Sequence, residues 1–174
     1  MSINNVVLKH NYTLLSGNTA PFELSGDGLE ILKYHTSTPR QTLSIIQEEQ
    51  SHHPLRITAK DGHVYLTNKR LVYITSTQGD LETFSIDLNL APVLQLSHKL
   101  QAPWFGANYW EFKFFSAAEP GFASDGFPKN QYYRGEIRFH DGGLFTFVEM
   151  LNKIIHDCVN NKDIDEQLPQ YSET

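Results

Sequence analysis

Leu168-Pro169-Gln170-Tyr171 is the stretch whose residue types and spacing best match a known recognition chemistry. WW domains read a polyproline-II turn: an aromatic groove takes the proline and a second pocket takes the tyrosine. Pro169 presets its own φ, which lowers the cost of ordering the turn. Tyr171 supplies amphipathic area and a hydroxyl, and Leu168 is apolar at the first position. A second candidate is Phe105 to Tyr109 with Trp104 and Trp110 on either side, where Trp104, Phe105, Asn108 and Tyr109 form a candidate partner surface. Aromatic side chains anchor protein interfaces. The blander alternative is that these rings cover one end of the core, with Asn108 holding a turn through its own backbone.

Other chemistries find less support. Eight histidines invite a metal reading, but His52 and His53 are adjacent, so on a strand they point to opposite faces. No His-x₃-His or Cys-x₂-Cys spacing occurs, so no metal is expected. There is no Gly-x-Ser-x-Gly elbow, phosphate loop or His-Glu-x-x-His pattern. Cys158 falls in the last turns of an apolar-striped helix, where a packed thiol fits better than a nucleophile. The expectation is a non-enzymatic protein without a cofactor.

Composition narrows the partners. Fourteen Lys and Arg against 20 Asp and Glu give a net charge of −6, with no basic cluster to offset it. Direct nucleic-acid binding is therefore not expected. The segment from Thr36 to His53 offers Arg40, His52 and His53 against Glu48 and Glu49, too few converging donors for a phosphoinositide headgroup. With one cysteine no intrachain disulfide forms, no apolar run is long enough to span a bilayer, and the first ten residues do not read as a signal peptide. These features predict a protein of the cytoplasm and nucleus.

The elements that must position these residues read as follows. Residues 1–25 are extended segments packed on the domain, 26–161 the domain itself, and 162–174 a disordered tail carrying the Leu-Pro-x-Tyr motif. Val64 to Thr67 and Arg70 to Ile74 are runs of strand formers around Asn68-Lys69, a hairpin at the centre of the chain. Asp61-Gly62 precedes it as a backbone break, glycine accepting positive φ without steric cost. Further strands are expected at Leu29 to His35, Leu55 to Ala59, Phe84 to Leu88, Pro92 to Ser97, Trp110 to Phe115, Tyr132 to His140 and Leu144 to Phe145. Leu43 to Ile46 fits either a strand or a helical turn, and the Gly- and Pro-rich stretch from Ser116 to Asn130 reads as a mobile loop. Thr146-Phe147-Val148-Glu149 matches a capping box, predicting a helix from Phe147 to about Asn160. Val148, Leu151, Ile155 and Val159 would form its buried stripe, with Ile154 and Cys158 beside it. The sum is an α+β roll, a bent antiparallel sheet of about seven strands closed by a C-terminal amphipathic helix.

Val64-Tyr65-Leu66-Thr67 followed by Arg70 resembles the signature hairpin of GRAM domains, a branch of the pleckstrin-homology superfold. Phe105-Gly106-Ala107-Asn108-Tyr109 resembles a motif of WW-domain-binding protein 2 and its relatives, and the Gly142-Gly143 turn and element order match the same family. The resemblance covers residues 4–160. It implies a pleckstrin-homology-like adaptor whose partners are WW-domain proteins, either HECT-type ubiquitin ligases or transcriptional regulators for which relatives act as coactivators. Vertebrate members carry repeated Pro-Pro-x-Tyr motifs, whereas this chain carries one variant at Leu168 to Tyr171. The alternative is a peripheral membrane module binding phosphoinositide lipids through the GRAM domain.

Overall fold

The computed structural model describes residues 6, 8–9, 20–48, 54–76 and 81–167, with side chains described as far as residue 160. Two antiparallel sheets and one C-terminal helix make an α+β fold. Strands β1 (Leu32–His35), β4 (Gly62–Thr67), β5 (Arg70–Thr75) and β6 (Thr83–Asp87) form one sheet in the order β1-β4-β5-β6. Strands β2 (Gln41–Gln47), β3 (Arg56–Ala59), β7 (Ser97–Gln101), β8 (Tyr109–Ser116) and β9 (Gln131–Phe139) form the other, in the order β3-β2-β9-β8-β7. Helix α1 (Leu144–Gln167) follows β9 directly.

The expected hairpin is the centre of the first sheet, and β4 is buried on both faces. Val64 and Leu66 turn toward the space between the sheets. Tyr65 turns outward and packs with Ala20, Phe22, Val72 and Ile74. Gly62 is needed for close approach rather than for a positive φ: a Cβ there would run into the Tyr73 ring and the Ile74 carbonyl. The Tyr73 hydroxyl donates to the Gln41 carbonyl at 2.7 Å, and the Gly62 amide donates to the Pro39 carbonyl at 2.8 Å. Together these bonds join the two sheets at one corner.

The second sheet alternates as a half-buried sheet should. Trp110, Phe112 and Phe114 face inward along β8, and the Phe112 ring lies over Gly135 of β9, where a Cβ would collide with it. Helix α1 closes the remaining opening with Leu144, Phe147, Leu151 and Ile154. Phe147 meets the rings of Tyr34, Trp110 and Phe139.

Several expectations need correction. Among the described residues the two sheets hold nine strands, against the about seven expected. The first strand begins at Leu32, leaving Leu29 and Ile31 exposed. Of the two readings open for Leu43 to Ile46, the strand is the one the chain adopts, within β2, because Leu43 and Ile45 alternate into the core. Residues 92–95 are turn, since proline cannot join a ladder there, and the strand starts only at Ser97. The 116–130 segment is anchored: Ala123, Ser124 and Phe127 are buried, and Lys129 Nζ donates to the Gly121 and Ser124 carbonyls. Leu144-Phe145 is the first turn of α1, not a strand. The Phe147 amide bonds to the Gly143 carbonyl, so Thr146 lies inside the helix and does not cap it. The buried stripe is rotated accordingly, with Val159 43% exposed and Val148 and Ile155 half-buried. The helix also runs to Gln167, so residues 162–167 of the expected tail are helical.

Candidate functional site

The β7–β8 connection, residues 102–108, presents two large aromatic side chains to solvent. Trp104 is 97% exposed and Phe105 90%. Pro103 stiffens the approach, and Gly106 turns the tip at φ +89°, a conformation that strains any L side chain. The loop is braced from below. Arg138 Nη1 donates to the Ala107 carbonyl at 3.4 Å, and the Phe139 amide donates to the Asn108 carbonyl at 3.0 Å. The Arg138 guanidinium also lies 4.3 Å from the centre of the Tyr109 ring and pairs with Glu136 at 3.1 Å.

Trp104 and Phe105 thus do not cover the core, as the blander alternative held, while Asn108 and Tyr109 are half-buried at the base of the loop. Trp110, nearby in sequence, is fully buried. Its ring stacks on Phe112 at 4.6 Å, and its Nε1 donates to His98 Nδ1 at 3.1 Å. Burial pushes the His98 pKa down, which suits a neutral imidazole accepting that bond. Only strand register separates the two tryptophans: Trp110 pairs with Ile137 and shares the inward face, whereas Trp104 lies beyond the last paired residue, Gln101.

The other candidates resolve differently. Leu168, Pro169 and Tyr171 lie outside the described residues, as do His52 and His53. Arg40 pairs with Asp141 at 2.9 Å at the surface, with 61% of its side chain in water. Lys69 and Arg70 of the hairpin are both paired, with Asp27 and Glu30, each at 2.8 Å. The Cys158 thiol points at the Asn68 carbonyl at 3.4 Å, and burial together with Asp87 and Asp157 pushes its pKa up, the opposite of an activated nucleophile. Among the described residues no three His, Cys, Asp or Glu side chains are placed to hold a metal ion. A hollow of about 230 Å³ beside β7 and β8 is smaller than the roughly 300–1,000 Å³ of small-molecule sites, whereas an open one of about 480 Å³ falls within that range, its two bases Lys69 and Arg70 being the ones paired with Asp27 and Glu30. No helix among the described residues is long and apolar enough to cross a membrane.

The sequence reading missed β7 as a sheet edge. The signal was present in the alternation of Ser97, Lys99 and Gln101 with His98 and Leu100.

Comparison with solved structures returns the Vps36 N-terminal PH domain at 12% identity and a TM-score of 0.52, covering 86% of this chain and 95% of that domain. The fold is pleckstrin-homology-like. A curated relative, the UPF0664 stress-induced protein of Schizosaccharomyces pombe, is 33% identical over 121 residues, 66% of this chain. The matched region spans 63% of the length of that relative. No family model matches the chain.

Proposed function

We propose that this protein is a non-enzymatic adaptor. Its pleckstrin-homology-like domain docks a protein through the Trp104–Phe105 loop, and Leu168, Pro169 and Tyr171 engage a WW domain. The observation that carries the first half is the pair of nearly fully exposed aromatics on a loop whose base is held by Arg138. Exposing them to water is unfavourable, and closure against a partner recovers that loss at about 25 cal/mol per Å². The second half rests on the motif and on the resemblance to GRAM-domain proteins of the WW-domain-binding protein 2 family. That resemblance proposes HECT-type ubiquitin ligases or transcriptional regulators as partners, in the cytoplasm and nucleus. A protein partner is preferred to a phosphoinositide because the segment from Thr36 to His53 sets Arg40, His52 and His53 against Glu48 and Glu49, too few converging donors for a headgroup.

Titration of a WW domain from a HECT-type ligase against the full chain tests the tail. Tyr171→Ala is expected to weaken binding by about tenfold or more, with Tyr171→Phe less affected. If both variants bind as the parent does, the tail is not the contact. Sedimentation with phosphoinositide vesicles at low salt tests the lipid alternative, and retention there would favour it.

A further inference from the structure

We propose that the outer edge of β7, continued by Trp104 and Phe105, is one docking strip for an extended peptide segment of a partner protein. This rests on the reading of the loop as a protein-docking point and adds the chemistry of what docks.

The direction of the backbone groups follows from the ladder. The Phe115 amide donates to the Leu94 carbonyl, so the odd-numbered residues of β8 address the β7 side. The Ser116 and Asn108 carbonyls accept from Asn130 and Phe139, so the even-numbered ones address β9. The pairs Ser97↔Lys113, Lys99↔Glu111 and Gln101↔Tyr109 therefore exchange hydrogen bonds, and the backbone groups of His98 and Leu100 point away from the sheet. Among the described residues nothing bonds to them. An open edge of this kind accepts an added strand.

The occupant is a foreign segment and not a second copy. In a two-fold pairing centred on the edge, Lys99, 64% exposed in its middle, would face its own counterpart, and in any register edge lysines oppose self-association. The pair it makes with Glu111 at 3.4 Å is loose and solvated, leaving the ammonium available to an incoming carboxylate. An antiparallel segment would place its N-terminal end near Gln101 and the aromatic pair, and its following residues opposite Lys99. The matching chemistry is an apolar or aromatic residue about four positions before an acidic one, with free amides between them.

Selection of a randomised peptide display library against the full chain tests this. Peptides with that spacing are expected. N-methylation of their alternate amides should weaken binding about tenfold, and methylation of the intervening amides should not. Trp104→Ala, at a position open to solvent, should weaken it similarly, and Lys99→Glu should remove the preference for an acid. Binding that needs Trp104 but ignores N-methylation overturns the strip and leaves the docking loop standing. Binding indifferent to Trp104→Ala overturns both. Failure to select any peptide, or a dimer that Trp104→Ala dissolves, overturns the strip as well.

Discussion

Glu30 shows how a single side chain ties the segment before β1 to the central hairpin. Its side chain is 2% exposed, and it accepts from Arg70 Nε at 2.8 Å, Thr67 Oγ1 at 2.6 Å and the Ser25 amide at 2.8 Å. Burial alone pushes the carboxyl pKa up, but the bonds from Arg70, Thr67 and Ser25 outweigh it and hold the group below its ordinary value of 4.5. The unfolded chain therefore takes up the proton first. The contribution to stability is fully present above pH 4.5 and is lost as the pH falls through the lower folded value. Denaturant titrations across that range should show the loss in the parent and a smaller one in Glu30→Gln. Arg70→Leu strands the carboxylate and should cost roughly 3 kcal/mol, the low end for buried pairs, because Arg70 keeps 21% of its side chain in water. Glu30→Leu combined with Arg70→Leu should recover most of that. If the double variant is no more stable than Arg70→Leu, the unpaired charge is not the cause.

At the scale of elements, α1 separates what a capping motif promises from what the chain does. A threonine N-cap is worth about 1 kcal/mol. The helix begins at Leu144, so Thr146 lies in its first turn and Thr146→Ala should change stability by only a few tenths. Phe147, fully buried between Tyr34, Trp110 and Phe139, carries the load instead, and Phe147→Ala should cost about 3–5 kcal/mol. Equilibrium denaturation of the two variants decides between the onsets. The same contrast shows what was legible in the sequence. The β4–β5 hairpin and the inward face of Trp110, Phe112 and Phe114 follow from local pattern, since period-2 alternation and turn residues agree there. The onset of α1 does not, because Leu144 and Phe145 suit a strand as well as a helix and only docking of Leu144 against the core decides. Nor could composition tell Trp104 from Trp110. Chemically they are the same ring, and the end of the β7–β8 register puts one in solvent and the other in the core.

For the whole molecule, α1 sets the distance between the two proposed contacts. Its N-terminal end follows β9, whose last residue, Phe139, is bonded to the base of the Trp104–Phe105 loop. Further along, Cys158 lies against the Asn68 carbonyl at the turn of the β4–β5 hairpin. Twenty-four residues at about 1.5 Å each carry the chain about 36 Å from Leu144 to Gln167, where the Leu168-Pro169-Gln170-Tyr171 stretch begins. The docking loop and the start of the tail are thus at opposite ends of the helix. Sites separated by more than about 10 Å and sharing no partner contribute additively, to within roughly 0.5 kcal/mol. Trp104→Ala should therefore leave WW-domain affinity unchanged, and Tyr171→Ala should leave peptide binding at the loop unchanged. A saturating loop peptide should likewise not compete with the WW domain. Calorimetric titration of the WW domain with and without that peptide measures the coupling. A coupling well above 0.5 kcal/mol would mean that the tail folds back toward the loop and that the protein holds one partner at a time, in place of bridging two.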